Sequence, residues 1–329
     1  MLVSVVIPNW NGARFLPVCL ASLRLQIQQP LEVILVDNGS TDGSLELVRR
    51  DYPEVRIVAW AENRGFAAAA NEGIRQSRGD GVALLNNDTE ADPQWLSELC
   101  RAADRYPGID MFASKLLLFD RRTVLHSAGD YYGTDGVPGN RGVWQDDVGQ
   151  FDEETEVFGA CGGAALYRQR MLRDVGLFDE SLGSYCEDVD LSFRARLGGC
   201  KCLFVPTARV YHRLSATGGG PVASYYCGRN FILVMVKNMP GSLIRRHWRQ
   251  IIGAQLGYFG HSLWHIREPA ARARLRGQIA AFAHLSGALK ARRSIQRSRR
   301  VTDEEIEAAL TSPEDRERWM LRYRQALSP

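Results

Sequence analysis

No stretch of this 329-residue chain is both apolar enough and long enough to cross a bilayer; the strongest run in its back half, Phe231 to Val236, is far too short. A secretory leader is not expected either, because Pro8, Asn9 and Asn11 interrupt the first apolar run and no basic segment precedes it. The chain is therefore expected in the cytosol. Its seven cysteines are odd in number and form no Cys-x-x-Cys pair, which argues against a disulfide framework and a structural zinc site. Cys200 and Cys202 flank only Lys201, a spacing that suits alternate faces of a strand. All seven are expected as reduced, mostly buried thiols. Three catalytic signatures of α/β sheets are also missing: the G-x-x-x-x-G-K-[ST] phosphate loop, a G-x-G-x-x-G opening a helix, and a serine nucleophile elbow.

Acidic residues are almost absent from one segment. Between Gly241 and Arg300 there are 13 Lys and Arg against Glu268 alone, whereas the residues on either side are net acidic and the whole chain is only +3. An anionic partner is thus expected for that segment only. A nucleic acid is not, since no recognition motif accompanies the arginines.

Apolar, β-branched runs alternate with helical patterns over the first hundred residues. Strands are predicted at Val3 to Ile7, Glu32 to Val36, Val55 to Ala59 and Gly81 to Leu85, with helices at Phe15 to Gln26, Gly43 to Asp51, Gly65 to Gln76 and Pro93 to Tyr106. That repetition predicts an α/β fold, a doubly wound and mostly parallel sheet. Asp42-Gly43 and Asp92-Pro93 look like helix starts. From Asp110 to Val157 six glycines and Pro138 break the pattern, and an irregular, mobile covering loop or a surface excursion is expected. Then follow a strand at Phe158 to Tyr167, helices at Met171 to Val175 and Asp188 to Leu197, a strand at Lys201 to Val205, and Val210 to His212 closing the core.

Acidic residues stand at informative places in this frame. Asp37 follows Val33 to Val36, Asp88 ends Leu84-Leu85-Asn86-Asn87-Asp88, and Glu187-Asp188 opens a helix. In open parallel sheets the carboxyl ends of strands face the ligand crevice. Plainer readings exist for each: an Asx turn for Asp37, helix capping for the Glu-Asp pair, and tight packing for the small-residue run Gly159 to Ala164.

With Val3-Ser4-Val5-Val6-Ile7-Pro8-Asn9-Trp10-Asn11, Asn63-Arg64-Gly65-Phe66, Asn71 and His212 in the same order, the chain resembles the family 2, GT-A fold inverting glycosyltransferases, in particular their rhamnosyltransferase-like branch. The resemblance runs to about residue 240, dividing the chain into a GT-A domain, 1–240, and a C-terminal helical extension, 241–329. It implies a UDP- or dTDP-sugar donor, dTDP-rhamnose first, and a polysaccharide or lipid-linked glycan acceptor. Asp37 would accept the imide N–H of uracil or thymine, with Pro8, Asn9, Asn11, Arg64, Asn71 and Asn87 completing the nucleotide pocket. Asn86-Asn87-Asp88 stands where the family carries Asp-x-Asp. Asp88, His212 and Asn86 would hold Mn²⁺ or Mg²⁺, with one charge fewer than usual. Asp188 would be the general base, Glu187 the next candidate, and Gly162 and Gly163 would line the acceptor side. Loss of that charge keeps an alternative open, an inactive, membrane-attached scaffold on the same fold.

In the extension, Trp248, Ile252, Leu256, Phe259, Leu263 and Ile266 recur at helical spacing, as do Leu275, Ile279, Phe282 and Leu285, with arginines beside them. Such helices suit an anionic membrane on its inner face, or a lid packing its apolar stripe on the core.

Overall fold

A computed structural model describes residues 1–213 and 219–326. Strands β1 (Val3–Asn9), β2 (Glu32–Asn38), β3 (Arg56–Trp60) and β4 (Gly81–Leu85) alternate with helices α1 (Leu16–Arg24), α2 (Ser44–Asp51) and α3 (Phe66–Gln76). After β5 (Thr89–Ala91) and α4 (Trp95–Arg105) come β6 (Met111–Leu118), β7 (Arg121–Ala128), β8 (Asp130–Tyr132), β9 (Pro138–Asn140), β10 (Thr155–Val157) and β11 (Ala164–Arg168). Helices α5 (Gln169–Val175) and α6 (Glu187–Leu197) then lead to β12 (Cys202–His212). Five helices follow: α7 (Pro221–Asn238), α8 (Gly241–Trp264), α9 (Pro269–Arg297), α10 (Asp303–Ala309) and α11 (Pro313–Ala326).

The main sheet runs β10-β12-β6-β11-β4-β1-β2-β3, with β5 beside β12 and β7 beside β6. Pairs β4-β1, β1-β2, β2-β3 and β12-β6 are parallel, while β11 runs antiparallel between β4 and β6. Every residue of β1 is buried, as a strand covered on both faces requires. Val3, Val5 and Ile7 meet one layer with α1 and α4; Val6 meets the other with α3. Helix α4 shows why the pattern folds this way: Trp95, Leu96, Leu99, Cys100, Ala102 and Ala103 are buried along one face, and the Trp95 indole donates to Ser114 Oγ at 2.9 Å. Burying side chains of this size stabilises by about 1.5–3 kcal/mol each.

Three expectations about strands and one about a helix cap are corrected. The segment from Asp110 to Val157 holds five strands rather than an irregular loop; Gly129, Gly136, Gly142 and Gly149 take positive φ between or beside them, so they turn the chain instead of loosening it. Only Ala164–Arg168 of the run from Phe158 is strand. The pieces at Lys201 to Val205 and Val210 to His212 are one strand, β12, broken in register between Val205 and Arg209 around Pro206. At the helix starts, Gln94 rather than Asp92 is the N-cap of α4, though Asp92 Oδ1 accepts the Gln94 N–H at 3.0 Å. Gly43 precedes α2, and there Asp42 Oδ1 accepts the Ser44 N–H at 3.1 Å. All seven cysteines are free, Cys200 and Cys227 only partly covered.

The extension is fastened to the rest. Arg292 donates to the carbonyls of Val236 and Met239 at 2.7 and 2.6 Å, and Leu233, Ile251, Ile306 and Leu310 share one core with Tyr132, Phe158, Phe193 and Leu197. The predicted stripe of α8 is not what packs. Leu243, Ile251 and Ser262 are its buried residues, while Trp248, Ile252, Leu256, Phe259 and Leu263 face solvent.

Candidate functional site

The carboxyl ends of β1, β2 and β4 converge in a hydrogen-bond chain. Asp37 is fully buried; its Oδ2 accepts from Asn9 Nδ2 at 2.8 Å and its Oδ1 from the Ser40 N–H at 2.9 Å. Asn9 Oδ1 in turn accepts from Asn87 Nδ2 at 2.6 Å. Asn11 has φ 50°, its N–H donates to Ser40 Oγ at 2.8 Å, and its Oδ1 accepts from the Thr41 N–H at 2.9 Å. Pro8 is the next-to-last residue of β1, in register with Val36. The Asp37 side chain therefore braces the turn that follows β2, through the Ser40 N–H three residues on rather than as an Asx turn.

Gly12 has to be glycine. A Cβ there would collide with both Asn9 Oδ1 and Asn87 Nδ2, the two atoms of the bond joining β1 to β4. Gly12→Ala should therefore lower unfolding free energy by about 1–3 kcal/mol in urea titration. An unchanged midpoint and slope would show that these strand ends are not rigidly coupled.

Two other expected nucleotide residues stand apart from this chain of bonds. Arg64 is exposed, stacked over Trp60 with its guanidinium 5.0 Å from the ring centre and 3.6 Å from Glu62. Its backbone is held by Asn38, whose Oδ1 accepts the Arg64 N–H at 2.7 Å. Asn71 is buried and occupied elsewhere: its Nδ2 donates to the Phe178 carbonyl and to Glu180 Oε1, and its Oδ1 accepts the Phe178 N–H at 2.9 Å. It ties α3 to the segment before α6.

Beyond β4, Asn86, Asp88 and His212 come together because β5 pairs with the end of β12, setting His212 opposite Thr89. His212 Nε2 lies 3.1 Å from Asp88 Oδ1 and 3.4 Å from Asn86 Nδ2. Asp88 Oδ1 and Asn86 Oδ1 are both buried without a hydrogen-bond partner, so the short Nε2 to Asp88 approach is not an aligned hydrogen bond. Two orphaned oxygens beside an imidazole nitrogen are a donor set that a divalent cation fits. His126 stands behind them, its Nδ1 3.0 Å from His212 Nδ1. Burial, and then the neighbouring His212, push the His126 pKa well below the ordinary value, so it is neutral. If His212 Nδ1–H donates to it, the His212 Nε2 lone pair is left facing Asn86 and Asp88, the form a ligand needs.

The second cluster forms at the start of α6. Tyr185 and Cys186 both adopt left-handed conformations, at φ 65° and 67°, which cost about 1–3 kcal/mol each for non-glycine residues. Asn230 on α7 holds them there, donating to the carbonyls of Leu182, Ser184 and Tyr185. The turn delivers Asp188, whose Oδ2 accepts the Gly162 N–H at 2.8 Å and whose Oδ1 accepts the Val189 N–H at 2.8 Å. Burial raises the Asp188 pKa, against the lowering effect of those backbone bonds. Glu187 is raised well above the carboxylate range by burial and then by Asp188, and its Oε2 has no partner. Asp130, unforeseen from the sequence, packs behind Asp188 and is likewise raised by burial and then by Asp188.

The ligand atoms of Asp130, Cys161 and Asp188 all lie within 4.8 Å of one another. Burial, followed by those two carboxylates, also keeps the Cys161 thiol protonated, a poor ligand for a hard cation. This group suits proton handling better than metal. Asp190, two residues beyond Asp188, is structural: burial would raise it, but Arg194 and Lys237 hold it at about 2.

Gly162 and Gly163 join the two clusters. A Cβ on Gly162 would sit 3.3 Å from Asp188 Oδ2, one on Gly163 3.4 Å from the His212 ring, and the Gly163 carbonyl accepts the Asn86 N–H at 3.0 Å. A cavity of about 390 Å³ opens beside His212, lined by Arg14, Phe119, Arg121, Trp144 and Arg213 among others. His126, Asp130 and Asn230 carried no sequence signal, being distant in the chain from the motifs they support; Gly12, directly after Pro8-Asn9-Trp10-Asn11, did.

Comparison with known proteins shows the family and the fold. Residues 4–176 match the glycosyl transferase family 2 model. The N-acetylglucosaminyl-diphospho-decaprenol L-rhamnosyltransferase of Mycobacterium tuberculosis is 31% identical over 242 residues, covering 67% of this chain and 78% of that protein. Among solved structures, GalNAc-T7 with UDP, GalNAc and Mn²⁺ superposes with a TM-score of 0.58 at 18% identity, over 72% of this chain. The chain spans about half, 48%, of that one. Staphylococcus aureus TarS 1–349 gives a TM-score of 0.54 at 17% identity over 91% of both chains. The doubly wound sheet, the motif order and these matches together make the chain a GT-A-fold glycosyltransferase of family 2, similar to its rhamnosyltransferases.

Proposed function

We propose that the chain transfers a sugar from a UDP- or dTDP-sugar, with dTDP-rhamnose the first donor to test, onto a polysaccharide or lipid-linked glycan, inverting the anomeric centre. The observation that carries the reading is the Gly162-Gly163 seam, which touches Asp188 on one side and the Asn86, Asp88 and His212 group on the other. Support for the sugar and the acceptor comes from the name of the Mycobacterium tuberculosis relative, a rhamnosyltransferase acting on N-acetylglucosaminyl-diphospho-decaprenol. Residues 1–240 would be the transferase domain and 241–329 its helical extension.

In this mechanism Asp37, reached through Pro8, Asn9 and Asn11, selects a base edge that donates, because an ionised carboxylate only accepts. Asn87 fixes the same pocket through Asn9. Arg64 swings from Trp60 to reach the nucleotide, and Asn71 shapes the pocket by anchoring α3. Asp88, His212 and Asn86 would hold Mn²⁺ or Mg²⁺, which supplies positive charge against the departing diphosphate. Asp188 takes the proton of the acceptor hydroxyl as its oxygen forms the bond to the anomeric carbon, and the nucleoside diphosphate leaves from the opposite face. Glu187 and Asp130, holding their protons, keep further negative charge away from the incoming hydroxyl, and burial raises the basicity of Asp188.

The test is release of UDP or dTDP from a panel of nucleotide sugars, with Mn²⁺, Mg²⁺ or EDTA. Cation-dependent release from one donor is expected, speeded by a polyprenyl-diphosphate glycan acceptor. Calorimetry showing that no nucleotide sugar binds at all would overturn the reading in favour of an inactive scaffold.

A further inference from the structure

Helix α8 presents an apolar face that nothing in the described structure covers. Trp248, Ile252, Leu256, Phe259 and Leu263 follow one another at steps of three and four along it, and Leu256 is 62% exposed. Trp264, 87% exposed, and Ile266 continue the apolar surface into the turn before α9. Exposed patches of this kind mark interaction surfaces. The face does not serve the fold, since α8 packs through Leu243, Ile251 and Ser262, on other sides of the helix.

Charge identifies the occupant. Neither α8 nor α9 contains an Asp or Glu. Arg245 and Arg249 are exposed on the side of α8 that carries the stripe, with the Arg249 guanidinium 5.4 Å from the Trp248 ring centre. Arg272, Arg276, Lys290 and Arg293 are exposed on α9, which also leaves Ile279, Phe282 and Leu289 in solvent. A two-fold contact between copies through this face would set arginine against arginine, with Glu268 in the turn the one carboxylate between Gly241 and Arg300. A bilayer with anionic headgroups answers both features: hydrocarbon for the stripe and negative charge for its rim.

We propose that α8, with the exposed basic side of α9, is a docking surface for an anionic lipid bilayer, lying in the plane of the interface with its Trp248 to Leu263 stripe among the acyl chains. No helix of the described residues is long and apolar enough to cross a membrane, so the attachment is peripheral and reversible. It stands independently of the transfer chemistry, and concentrates the chain wherever a lipid-linked acceptor would lie.

The experiment is flotation of the full chain with vesicles of phosphatidylcholine alone, or with about a third phosphatidylglycerol. Partitioning onto the anionic vesicles is expected to exceed that onto neutral ones by about tenfold or more and to weaken as salt rises. Leu256→Ser with Phe259→Ser should cut binding to anionic vesicles at least about tenfold, since both side chains lose their place in the acyl layer. Arg245→Glu with Arg249→Glu should abolish the preference for anionic lipid. All four positions are exposed, so melting curves and nucleotide-sugar hydrolysis in solution should stay as in the parent. Equal partitioning of parent and variants would overturn the proposal. So would light scattering that shows a stable dimer which the Leu256 and Phe259 variant dissolves, since the face would then belong to a second copy. A chain that binds vesicles but binds no nucleotide sugar in calorimetry would leave the docking surface standing and remove the proposed donor chemistry.

Discussion

Asp188→Asn is expected to reduce sugar transfer by about 10³- to 10⁴-fold while leaving nucleotide-sugar affinity nearly unchanged. The substitution keeps the shape of the side chain and removes its capacity to take a proton, while the amide NH2 replaces one of the two oxygens that accept from Gly162 and Val189. Its pH behaviour is the sharper test. Burial raises the Asp188 pKa, so in the parent the acid limb of kcat/KM should lie above the ordinary aspartate range, with activity gained as the carboxyl loses its proton. The stability linkage has the opposite sense. A carboxyl raised in the folded state contributes stability that is fully present below its unfolded pKa and is lost as pH rises through its folded one. At neutral pH the parent has therefore given up stability to keep Asp188 ionised; Asp188→Asn relieves that cost but leaves one of the Gly162 and Val189 N–H groups without its acceptor, so the melting temperature of the variant should depend less on pH than that of the parent. A variant retaining more than about a tenth of parental turnover would remove Asp188 from the role of base.

Asp88→Ala should abolish the response to divalent cations and lower transfer by about 10²-fold or more. Asp88 brings the only carboxylate to the group formed with Asn86 and His212, and its Oδ1 is buried without a hydrogen-bond partner. Removing it leaves one neutral amide and one imidazole, too little charge to hold a hard cation beside a diphosphate. Mn²⁺ titration followed by electron paramagnetic resonance would read this directly, without turnover. The parent should bind Mn²⁺ more tightly when UDP or dTDP is present, and Asp88→Ala should bind it no better than free nucleotide does. Asn86→Asp should move the other way and tighten Mn²⁺ by restoring the second charge. Equal Mn²⁺ affinity in parent and Asp88→Ala would place the cation elsewhere.

Both predictions use positions visible in the sequence because their signals are local. Asp37, Asp88 and Glu187-Asp188 stand where an apolar run stops or a helix starts, and such run lengths record burial directly. The same locality made β1 to β4 and the helices between them readable to within a few residues. It failed between Asp110 and Val157, where β8, β9 and β10 are only three residues long and β6 and β10 are paired by β11 and β12 far along the chain; a glycine that turns a strand looks the same in sequence as one that loosens a loop. The residues supporting the candidate site were hidden for a related reason. His126 meets His212 only because β7 and β12 both pair with β6, and Asp130 reaches Asp188 only through the bridge between Asp130 and Gly159.

Helix α8 draws the line most clearly. Periodicity alone determined that Trp248, Ile252, Leu256, Phe259 and Leu263 share one side of a helix, because 3.6 residues per turn is a property of the chain itself. Which side meets the core was decided by α7 and α9: α9 lies along α7, and α8 packs beside them through Leu243 and Ile251, leaving the stripe in solvent. A stripe records only that a face avoids water. What covers it depends on neighbours brought together by folding, and that information is absent from any single segment.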